Sequence, residues 1–348
     1  MASPLLKTMK AWVVTQRGEP KDALVLESNH SAPGPPTGSN IVVKVTYASL
    51  NNADVHFMGT IPAWLPFRWR PIPGLDFVGE IIQRGPSAPA HLPIGAEVCG
   101  ALNVMSVLFG HGSLAEYITI PSDIVVIKPS DLGSSRAVGA FGVAGQTAAL
   151  MVRGSGGIKA GDRILINGVS GGVGVLLAQV LKAIGATVYG VCSQTNAEMV
   201  KGLGVDYVID YTKHNPLTAY LALEYGDSPF DLIYDCVGSQ ELFSHSTAYL
   251  KEDRLFINIV GGRTEGIVPF LRNRVLPTAL GGIPRNYRLL GLSPSATYAR
   301  DVLRWVEEGK LKEFPIDSEY AMGEVVKAYE RVQSRRARGK VVVKIANE

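Results

Sequence analysis

The chain has 348 residues, of which 46% are apolar and 19% are charged, and its formal net charge is +3. This composition supports a large apolar core and excludes a disordered chain, while the small net charge gives no support to nucleic-acid binding. The three cysteines cannot form a disulfide scaffold, and they favour a reducing compartment.

Short apolar segments separated by Gly and Pro dominate the first third of the chain. They predict strands at 9–15, 41–49, 77–83, 97–102, 114–120 and 124–128. Residues of 41–49 alternate between two faces, and a Pro/Gly/Ser loop occupies 31–39. Short strands at this spacing indicate a small barrel or sandwich.

The pattern changes near residue 134. Small and apolar residues predict a helix at 135–151, and strands then alternate with helices. The strands are expected at 163–167, 187–192, 207–210, 232–236 and 254–260, and the helices at 173–185, 197–204, 217–225 and 241–250. This alternation indicates βαβ units and a parallel sheet.

The alternation ends after Gly262. A sixth strand is expected at 287–292, helices at 299–308 and 324–333, and a last strand at 340–345. The order of these elements suggests that the last strand returns to the β-rich first domain.

A glycine-rich loop follows the strand at 163–167 and leads directly into a helix. Its sequence is Asn-Gly-Val-Ser-Gly-Gly-Val-Gly, with Val169 where the strict G-x-G-x-x-G pattern has its first glycine, while Gly171 and Gly174 are in register. Such a loop lets the backbone approach a phosphate, and the helix N-terminus attracts negative charge. We therefore expect Ser170, Gly171, Gly172 and Val173 to bind a nucleotide; a tight turn that binds nothing is the alternative.

The end of the next strand indicates which nucleotide binds. An NAD enzyme has Asp or Glu there for the ribose hydroxyls, whereas this chain has Cys-Ser-Gln-Thr-Asn at 192–196. Hydroxyl and amide groups accept a 2′-phosphate that a carboxylate would repel. The pattern therefore predicts NADPH, with Ser193, Asn196 and Tyr211 near the phosphate; helix capping is the alternative role for Ser193 and Asn196.

Several ordered motifs resemble the medium-chain dehydrogenase/reductase superfamily, on its zinc-free quinone oxidoreductase side. Besides the glycine loop, they are Ser-Leu-Asn-Asn-Ala-Asp at 49–54, Pro-Ile-Pro-Gly-Leu-Asp-Phe-Val-Gly at 71–79, Gly-Ser-Leu-Ala-Glu-Tyr at 112–117 and the closing strand at 339–345. The resemblance implies an α/β protein with a GroES-like catalytic domain (1–134 and 293–348) and a Rossmann-type NADP-binding domain (135–292), with the site between them.

The resemblance also bears on metal binding. Asn51 stands where zinc-dependent relatives have a catalytic Cys, and Leu75 and Asp76 match their His-Glu pair. Leu has no ligand atom, and the four-Cys lobe is absent, so we expect no metal.

Without a Lewis acid, reduction of an activated carbonyl is easier than oxidation of a simple alcohol. We therefore expect an NADPH-dependent enzyme that transfers hydride to a quinone or an α,β-unsaturated carbonyl. The resemblance places His56, Asn51 and Asp54 in the catalytic cleft. His56 is the candidate proton donor, where related reductases have Tyr, and Asn51 and Asp54 would shape the nicotinamide end. An ordinary exposed loop histidine is the alternative for His56.

The resemblance implies further cofactor contacts at Thr147, Val237, Gly261 and Lys340. Trp64, Phe67 and Trp69 are candidates for a substrate wall, and the arginines between 263 and 288 for an acidic or CoA-type substrate. Two alternatives stay open: an enoyl-thioester reductase of a polyketide or fatty acid pathway, and a non-catalytic NADPH-binding protein.

The expected partner is a small molecule and neither nucleic acid nor membrane, since no run of about 20 apolar residues occurs. The start of the chain lacks the apolar core of a secretory signal, so a cytoplasmic location is expected. The resemblance allows a homodimer.

Overall fold

The structure is a computed structural model, and it describes residues 7–60, 70–260, 268–269, 272–273, 276, 280 and 282–346. The strands, numbered in chain order, are β1 Thr8–Val14, β2 Leu24–Ser31, β3 Asn40–Ser49, β4 Asp76–Arg84, β5 Glu97–Ala101, β6 Tyr117–Pro121, β7 Val125–Ile127, β8 Arg163–Asn167, β9 Thr187–Cys192, β10 Tyr207–Asp210, β11 Phe230–Asp235, β12 Leu250–Asn258, β13 Asn286–Leu289, β14 Ile316–Ala321 and β15 Lys340–Lys344.

The α-helices of the described residues are numbered in the same way. They include α1 Pro20–Ala23, α2 Asn52–Thr60, α3 Val104–Leu108, α4 Ser134–Phe141, α5 Val143–Gly154, α6 Gly174–Ile184, α7 Ala197–Gly202, α8 Leu217–Tyr225, α9 Gln240–Ser244, α10 Ala296–Glu307 and α11 Val325–Gln333. None of the described helices has both the length and the apolar character needed to cross a membrane.

Two compact units make up the chain. The first comprises Met1–Gln146, Ser293–Arg304 and Phe314–Glu348, and the second comprises Thr147–Leu292 and Trp305–Glu313. The domain boundaries expected from the sequence stay a prediction.

The first unit is built on a mixed sheet in the order β14-β15-β3-β4-β5-β7, with β6 also paired to β3. The last strand, β15, pairs antiparallel with β3, which confirms that the end of the chain returns to the β-rich part. Ile41, Val43 and Val45 of β3 belong to one apolar core cluster, whereas Val42 does not. Val42 is nevertheless as fully buried as Ile41 and Val43, so both faces of this strand are covered.

The second unit contains a six-stranded sheet in the order β10-β9-β8-β11-β12-β13, and every pairing in it is parallel. This order is that of the Rossmann fold, in which the chain reverses direction across the sheet between the first and fourth strands. Here the reversal lies between β8 and β11. The protein is therefore an α/β protein that combines a β-rich unit with a Rossmann-type doubly wound sheet.

The helix expected at 135–151 is in fact two helices, α4 and α5, separated at Gly142. A Cβ on Gly142 would lie 2.4 Å from Cγ of Asp76, and Oδ1 of Asp76 accepts the amide hydrogen of Val143 at 2.7 Å. The Asp76 carboxylate thus occupies the position of a cap at the start of α5. The helix breaks because a side chain 66 residues away in sequence, on β4, packs against this point.

The helix expected at 241–250 is also wrong, because α9 ends at Ser244 and Leu250 already begins β12. Two strands, β2 and β14, and the helices α1, α2 and α3 were not predicted. Most residues of β2 and β14 are only partly buried or exposed, so these strands lack the apolar pattern on which such a prediction depends.

Candidate functional site

The glycine loop of the second unit joins β8 to α6 at the carboxyl edge of the parallel sheet. Gly168 has φ +82, a conformation that favours glycine, and a Cβ there would meet Val237 Cγ2 at 2.8 Å. A Cβ on Gly174 would lie 2.5 Å from the carbonyl oxygen of Gly168. The loop is therefore compact for a steric reason, and α6 begins immediately behind it.

The start of α6 is open to an anion. Its N-cap residue is Val173, and no side chain caps the helix there. The helix dipole and the first amide groups favour negative charge at such a position. Ser170, Gly171 and Gly172, which were predicted to bind the nucleotide, lie in the same loop.

The loop after β9 meets the glycine loop at this edge. The Asn196 Nδ2 donates to Ser170 Oγ at 3.1 Å, and the hydroxyls of Ser193 and Thr195 are 2.9 Å apart. Neither Ser193 nor Asn196 makes a side-chain capping hydrogen bond to the helix that follows it. The structure thus brings Ser170, Ser193 and Asn196 together, and capping does not account for the last two.

The loop after β10 lies beside the loop after β9, because Asp210 pairs with Cys192 in the parallel ladder. Tyr211 is exposed there, and its amide donates to the Cys192 carbonyl at 3.3 Å. The Asp210 carboxylate accepts hydrogen bonds from the amide and hydroxyl of Thr212, which hold the pKa of Asp210 below its usual value.

Sequence reasoning missed Lys213. Its Nζ donates to Gln194 Oε1 at 3.5 Å, so an exposed ammonium group stands next to the loop that contains Ser193. We call Ser170, Ser193, Thr195, Asn196 and Lys213 the polar cluster. Lys213 could have been found from the parallel pairing of β9 with β10, because this pairing places the residues that follow both strands at the same edge of the sheet.

The remaining predicted cofactor residues are spread over the chain. Val237 follows β11 and is 46% exposed beside Gly168, whereas Thr147 lies buried in α5. Gly261 lies outside the described residues, as do Trp64, Phe67 and Trp69. These contacts with a cofactor or substrate stay predictions.

Two of the arginines considered for an acidic substrate have structural partners. Arg285 donates to the carbonyl oxygens of Leu250 at 2.7 Å and Thr247 at 3.0 Å, and Arg288 donates to the Gly154 carbonyl. These bonds connect the elements of the second unit with one another.

A buried cluster of charged and polar groups lies in the first unit. The Asp76 carboxylate, fully buried, accepts hydrogen bonds from Ser49 Oγ at 2.6 Å, Asn51 Nδ2 at 2.9 Å and Lys340 Nζ at 3.2 Å. Lys340 also donates to Asn51 Oδ1 at 2.7 Å and to the Leu50 carbonyl at 3.0 Å. These bonds fix the amide of Asn51 at the start of α2, and the predicted contact between Lys340 and the cofactor stays a prediction.

Asp54 adjoins this cluster from the first turn of α2. Its Oδ2 accepts the Asn51 amide hydrogen at 2.8 Å, whereas its buried Oδ1 has no hydrogen-bond partner among the described residues. Burial raises the pKa of Asp54 to about 7, with a smaller contribution from the negative charge of Asp76. The Tyr329 hydroxyl in α11 is likewise buried without a hydrogen-bond partner in the described part of the chain.

His56 lies on the exposed side of α2, two residues after the buried Asp54. Two residues correspond to about 200° around a helix, so the two side chains point in opposite directions. The His56 ring centroid is 6.2 Å from that of Phe57. The structure thus joins Asn51 and Asp54 by a hydrogen bond and places His56 on the surface of the same helix.

Comparison with known proteins identifies the class. Residues 37–130 match a family model described as an alcohol dehydrogenase GroES-like domain, and residues 203–343 match one described as a zinc-binding dehydrogenase. The chain is 38% identical to the medium chain reductase pydE of an Acremonium species, covering 97% of this chain and 99% of the relative. It is 30% identical to the trans-enoyl reductase poxH of Penicillium oxalicum, covering 98% of this chain and 99% of that protein.

A solved structure agrees with these matches. The quinone oxidoreductase from Coxiella burnetii superposes with a TM-score of 0.79 at 27% identity, covering 97% of this chain and 99% of that chain. The chain belongs to the medium-chain dehydrogenase/reductase superfamily. It is therefore an oxidoreductase that binds a nicotinamide cofactor.

The zinc of some members does not fit the residues present. Among the described residues, no group of three or more His, Cys, Asp and Glu side chains could hold a metal ion. At the positions of the family's ligands, Leu75 offers no donor atom and the Asn51 side chain is bonded to Asp76 and Lys340.

Proposed function

We propose that the protein is an NADPH-dependent, zinc-independent reductase that transfers hydride to a quinone or an α,β-unsaturated carbonyl compound. The observation that carries this proposal is the polar cluster, which offers hydroxyl, amide and ammonium groups where a specific NAD site has a carboxylate. The names of the relatives support the reaction class, because a conjugated acceptor is common to quinone and enoyl reduction.

The preference for NADPH rests on charge. A 2′-phosphate between Ser193, Asn196 and Tyr211 would lie near the ammonium group of Lys213. The one carboxylate at the end of β10, Asp210, is buried and bonded to Thr212. The cluster thus has donors and a cation for the phosphate. The nearby Asp210 carboxylate is buried, and among the described residues only its Oδ1 accepts hydrogen bonds.

The reduced nicotinamide, when bound, supplies the hydride. As hydride reaches the acceptor, negative charge develops on the substrate oxygen, and a hydrogen-bond donor lowers the energy of that state. We assign this role to His56, whose ring is exposed on α2. Asn51 shapes the site from the start of α2, where Asp76 and Lys340 hold its side chain in one orientation. The buried Asp54 acts through the hydrogen bond that it accepts from the Asn51 amide.

A second candidate is an enoyl-thioester reductase, and the match to a protein named trans-enoyl reductase favours it. The hydride would be added to the β-carbon of the thioester, and the negative charge would develop on the thioester oxygen. NADPH oxidation with a crotonyl thioester, compared with a simple quinone and an enone, separates the two reactions. A non-catalytic NADPH-binding protein would oxidise NADPH with none of the three.

Titration of the protein with NADPH and NADH tests the cofactor assignment. NADPH should bind the more tightly, and Ser193→Asp should weaken NADPH binding by placing a carboxylate against the phosphate. Equal affinities of the unmodified protein for both cofactors would contradict the assignment. A homodimer and a cytoplasmic location, expected from the sequence, stay predictions.

A further inference from the structure

A row of polar side chains crosses three neighbouring strands of the second unit. Asn167, Asp235 and Asn258 are the last residues of β8, β11 and β12, and Asp235 pairs with both asparagines in the parallel ladders. All three are buried, with 7%, 0% and 4% exposure. A buried carboxylate must be compensated by hydrogen bonds, so its partners define what it does.

The Asp235 carboxylate accepts five hydrogen bonds. Oδ1 accepts from Asn167 Nδ2 at 2.9 Å and from the amides of Val237 and Gly238 at 3.0 Å each. Oδ2 accepts from the amide of Ser239 at 2.7 Å and from Asn258 Nδ2 at 3.2 Å. Burial raises the pKa of Asp235, and the hydrogen bonds from these donors act in the opposite direction because they stabilise the charged carboxylate.

Two of these donors end β8 and β12, and the other three belong to the loop after β11. They lie beside the reversal point between β8 and β11, where Rossmann sheets bind their ligands. Asn167 precedes the glycine loop, and the amides at 237–239 belong to the loop after β11. Asn258 Oδ1 in turn accepts the amide hydrogen of Val260 at 2.7 Å. The first two loops also touch, since Gly168 has no room for a Cβ beside Val237.

We propose that Asp235 is a positioning residue for the dinucleotide. It fixes the glycine loop against the loops after β11 and β12, and thereby sets the affinity for the pyrophosphate and nicotinamide portions of the cofactor. This inference rests on the proposed function for the identity of the ligand.

The adenosine portion should depend on Asp235 much less. The polar cluster lies on the other side of the glycine loop, with Asn196 bonded to Ser170. The amides of Gly168 and Val169 both donate to the Val191 carbonyl of β9, at 3.1 Å each. The adenosine side is therefore held by bonds to β9 that do not involve Asp235.

Asp235→Asn tests this role. The substitution replaces one acceptor oxygen of the carboxylate by an NH2 group, which would lie against the N–H groups that now donate to that oxygen. Asp231→Asn is the matched control: Asp231 is a buried carboxylate at the opposite end of the same strand, bonded to the Arg163 amide at 3.0 Å and to Lys251 Nζ at 2.8 Å. Thermal unfolding of both variants measures the general loss of stability.

Binding of NADPH and of 2′,5′-ADP, which lacks the nicotinamide part, is measured by calorimetry. Asp235→Asn should weaken NADPH binding by about tenfold or more and change 2′,5′-ADP binding by less than about threefold, whereas Asp231→Asn should change neither by more than about threefold. Unchanged NADPH binding by Asp235→Asn, or an equal loss for both ligands, would overturn the positioning role.

Two further arms keep the test decisive. Asn167→Ala removes the bond across the reversal point and leaves the three amide bonds of Asp235, so the same selective loss should appear at smaller size even if Asp235→Asn does not fold. NADH and 5′-AMP are titrated in parallel. If the wild type prefers NADH, the proposed cofactor is contradicted but the role of Asp235 is not. The comparison of NADH with 5′-AMP would then decide that role.

Discussion

We propose that single residues at the edge of the Rossmann sheet decide which cofactor is bound. Ser193 and Asn196 were predicted from the absence of a carboxylate after β9, a signal that is local in sequence. Lys213 could not be recognised in the same way, because it is close to Gln194 only through the pairing of β9 with β10.

Lys213→Gln should weaken NADPH binding by about tenfold at low ionic strength, since a charged hydrogen-bond partner of the phosphate is lost. NADH binding should not change, because NADH has no 2′-phosphate. Fluorescence titration of both cofactors measures the difference. Lys201→Gln is the matched control, since Lys201 pairs with Glu198 on α7; an equal effect of the two variants would remove Lys213 from the phosphate site.

His56→Ala should lower kcat/KM by roughly 10²-fold, the low end of the contribution of a positioned proton donor. NADPH affinity should stay the same, and His56→Tyr should keep part of the activity because a phenol also donates a hydrogen bond. Steady-state kinetics with a quinone and an enone measure the effect, with the exposed His91→Ala as control. Full turnover of His56→Ala on both substrates would make His56 an ordinary surface residue.

The raised pKa of Asp54 links stability to pH. The folded protein keeps the Asp54 proton up to about pH 7, whereas the ordinary pKa of the group is 3.8, so between these values the folded state binds more protons than the unfolded state. Stability from this group is present at low pH and is lost as the pH rises towards 7.

Asp54→Asn should abolish that dependence while still accepting the Asn51 amide hydrogen through its carbonyl oxygen. The free energy of unfolding of the wild type, relative to this variant, should fall by on the order of 3 kcal/mol between pH 4 and pH 8. Urea unfolding at several pH values measures it, and the exposed Asp227→Asn is the control. Parallel pH profiles for wild type and Asp54→Asn would contradict a buried, protonated Asp54.

At the scale of elements, type and approximate position were predictable wherever the pattern is local. Five strands of the Rossmann sheet were expected close to their observed positions, and Gly185 ends α6 at φ +95 as a C-cap glycine should. The break between α4 and α5 was not predictable, because it depends on Asp76 of β4. Asn167, Asp235 and Asn258 each have a signal in the sequence, since each is a polar residue at the end of an apolar strand. That these three residues are neighbours can be predicted only when the order of the strands in the sheet is known.

Gly142→Ala tests the cause of the helix break. The added methyl group would press on the Asp76 carboxylate, so stability should fall by roughly 1–3 kcal/mol, the usual cost of overpacking. Gly133→Ala is the matched control, since a Cβ there meets nothing within 4 Å. Chemical unfolding compares the two, and equal stability of the two variants would show that Asp76 does not require glycine at 142.

At the scale of the whole molecule, the ordered motifs were sufficient to indicate the superfamily, and strand order confirmed the Rossmann-type sheet. The return of β15 to β3 was expected from the order of elements alone. It joins residues about 300 positions apart in the chain, and Lys340 meets Asn51 and Asp76 as a result. The side chains of that buried cluster could not be predicted, because no local sequence pattern indicates that β15 pairs with β3.

We propose above that this chain reduces conjugated carbonyl compounds with NADPH and without zinc. The most direct test follows nicotinamide absorbance with a quinone, an enone and a crotonyl thioester, using NADPH or NADH, in buffer with and without a chelator. We expect faster oxidation of NADPH than of NADH with the quinone or the enone, and we expect the chelator to leave both rates unchanged. Equal rates with the two cofactors, no turnover of any acceptor, or activity that the chelator abolishes and zinc restores would contradict it.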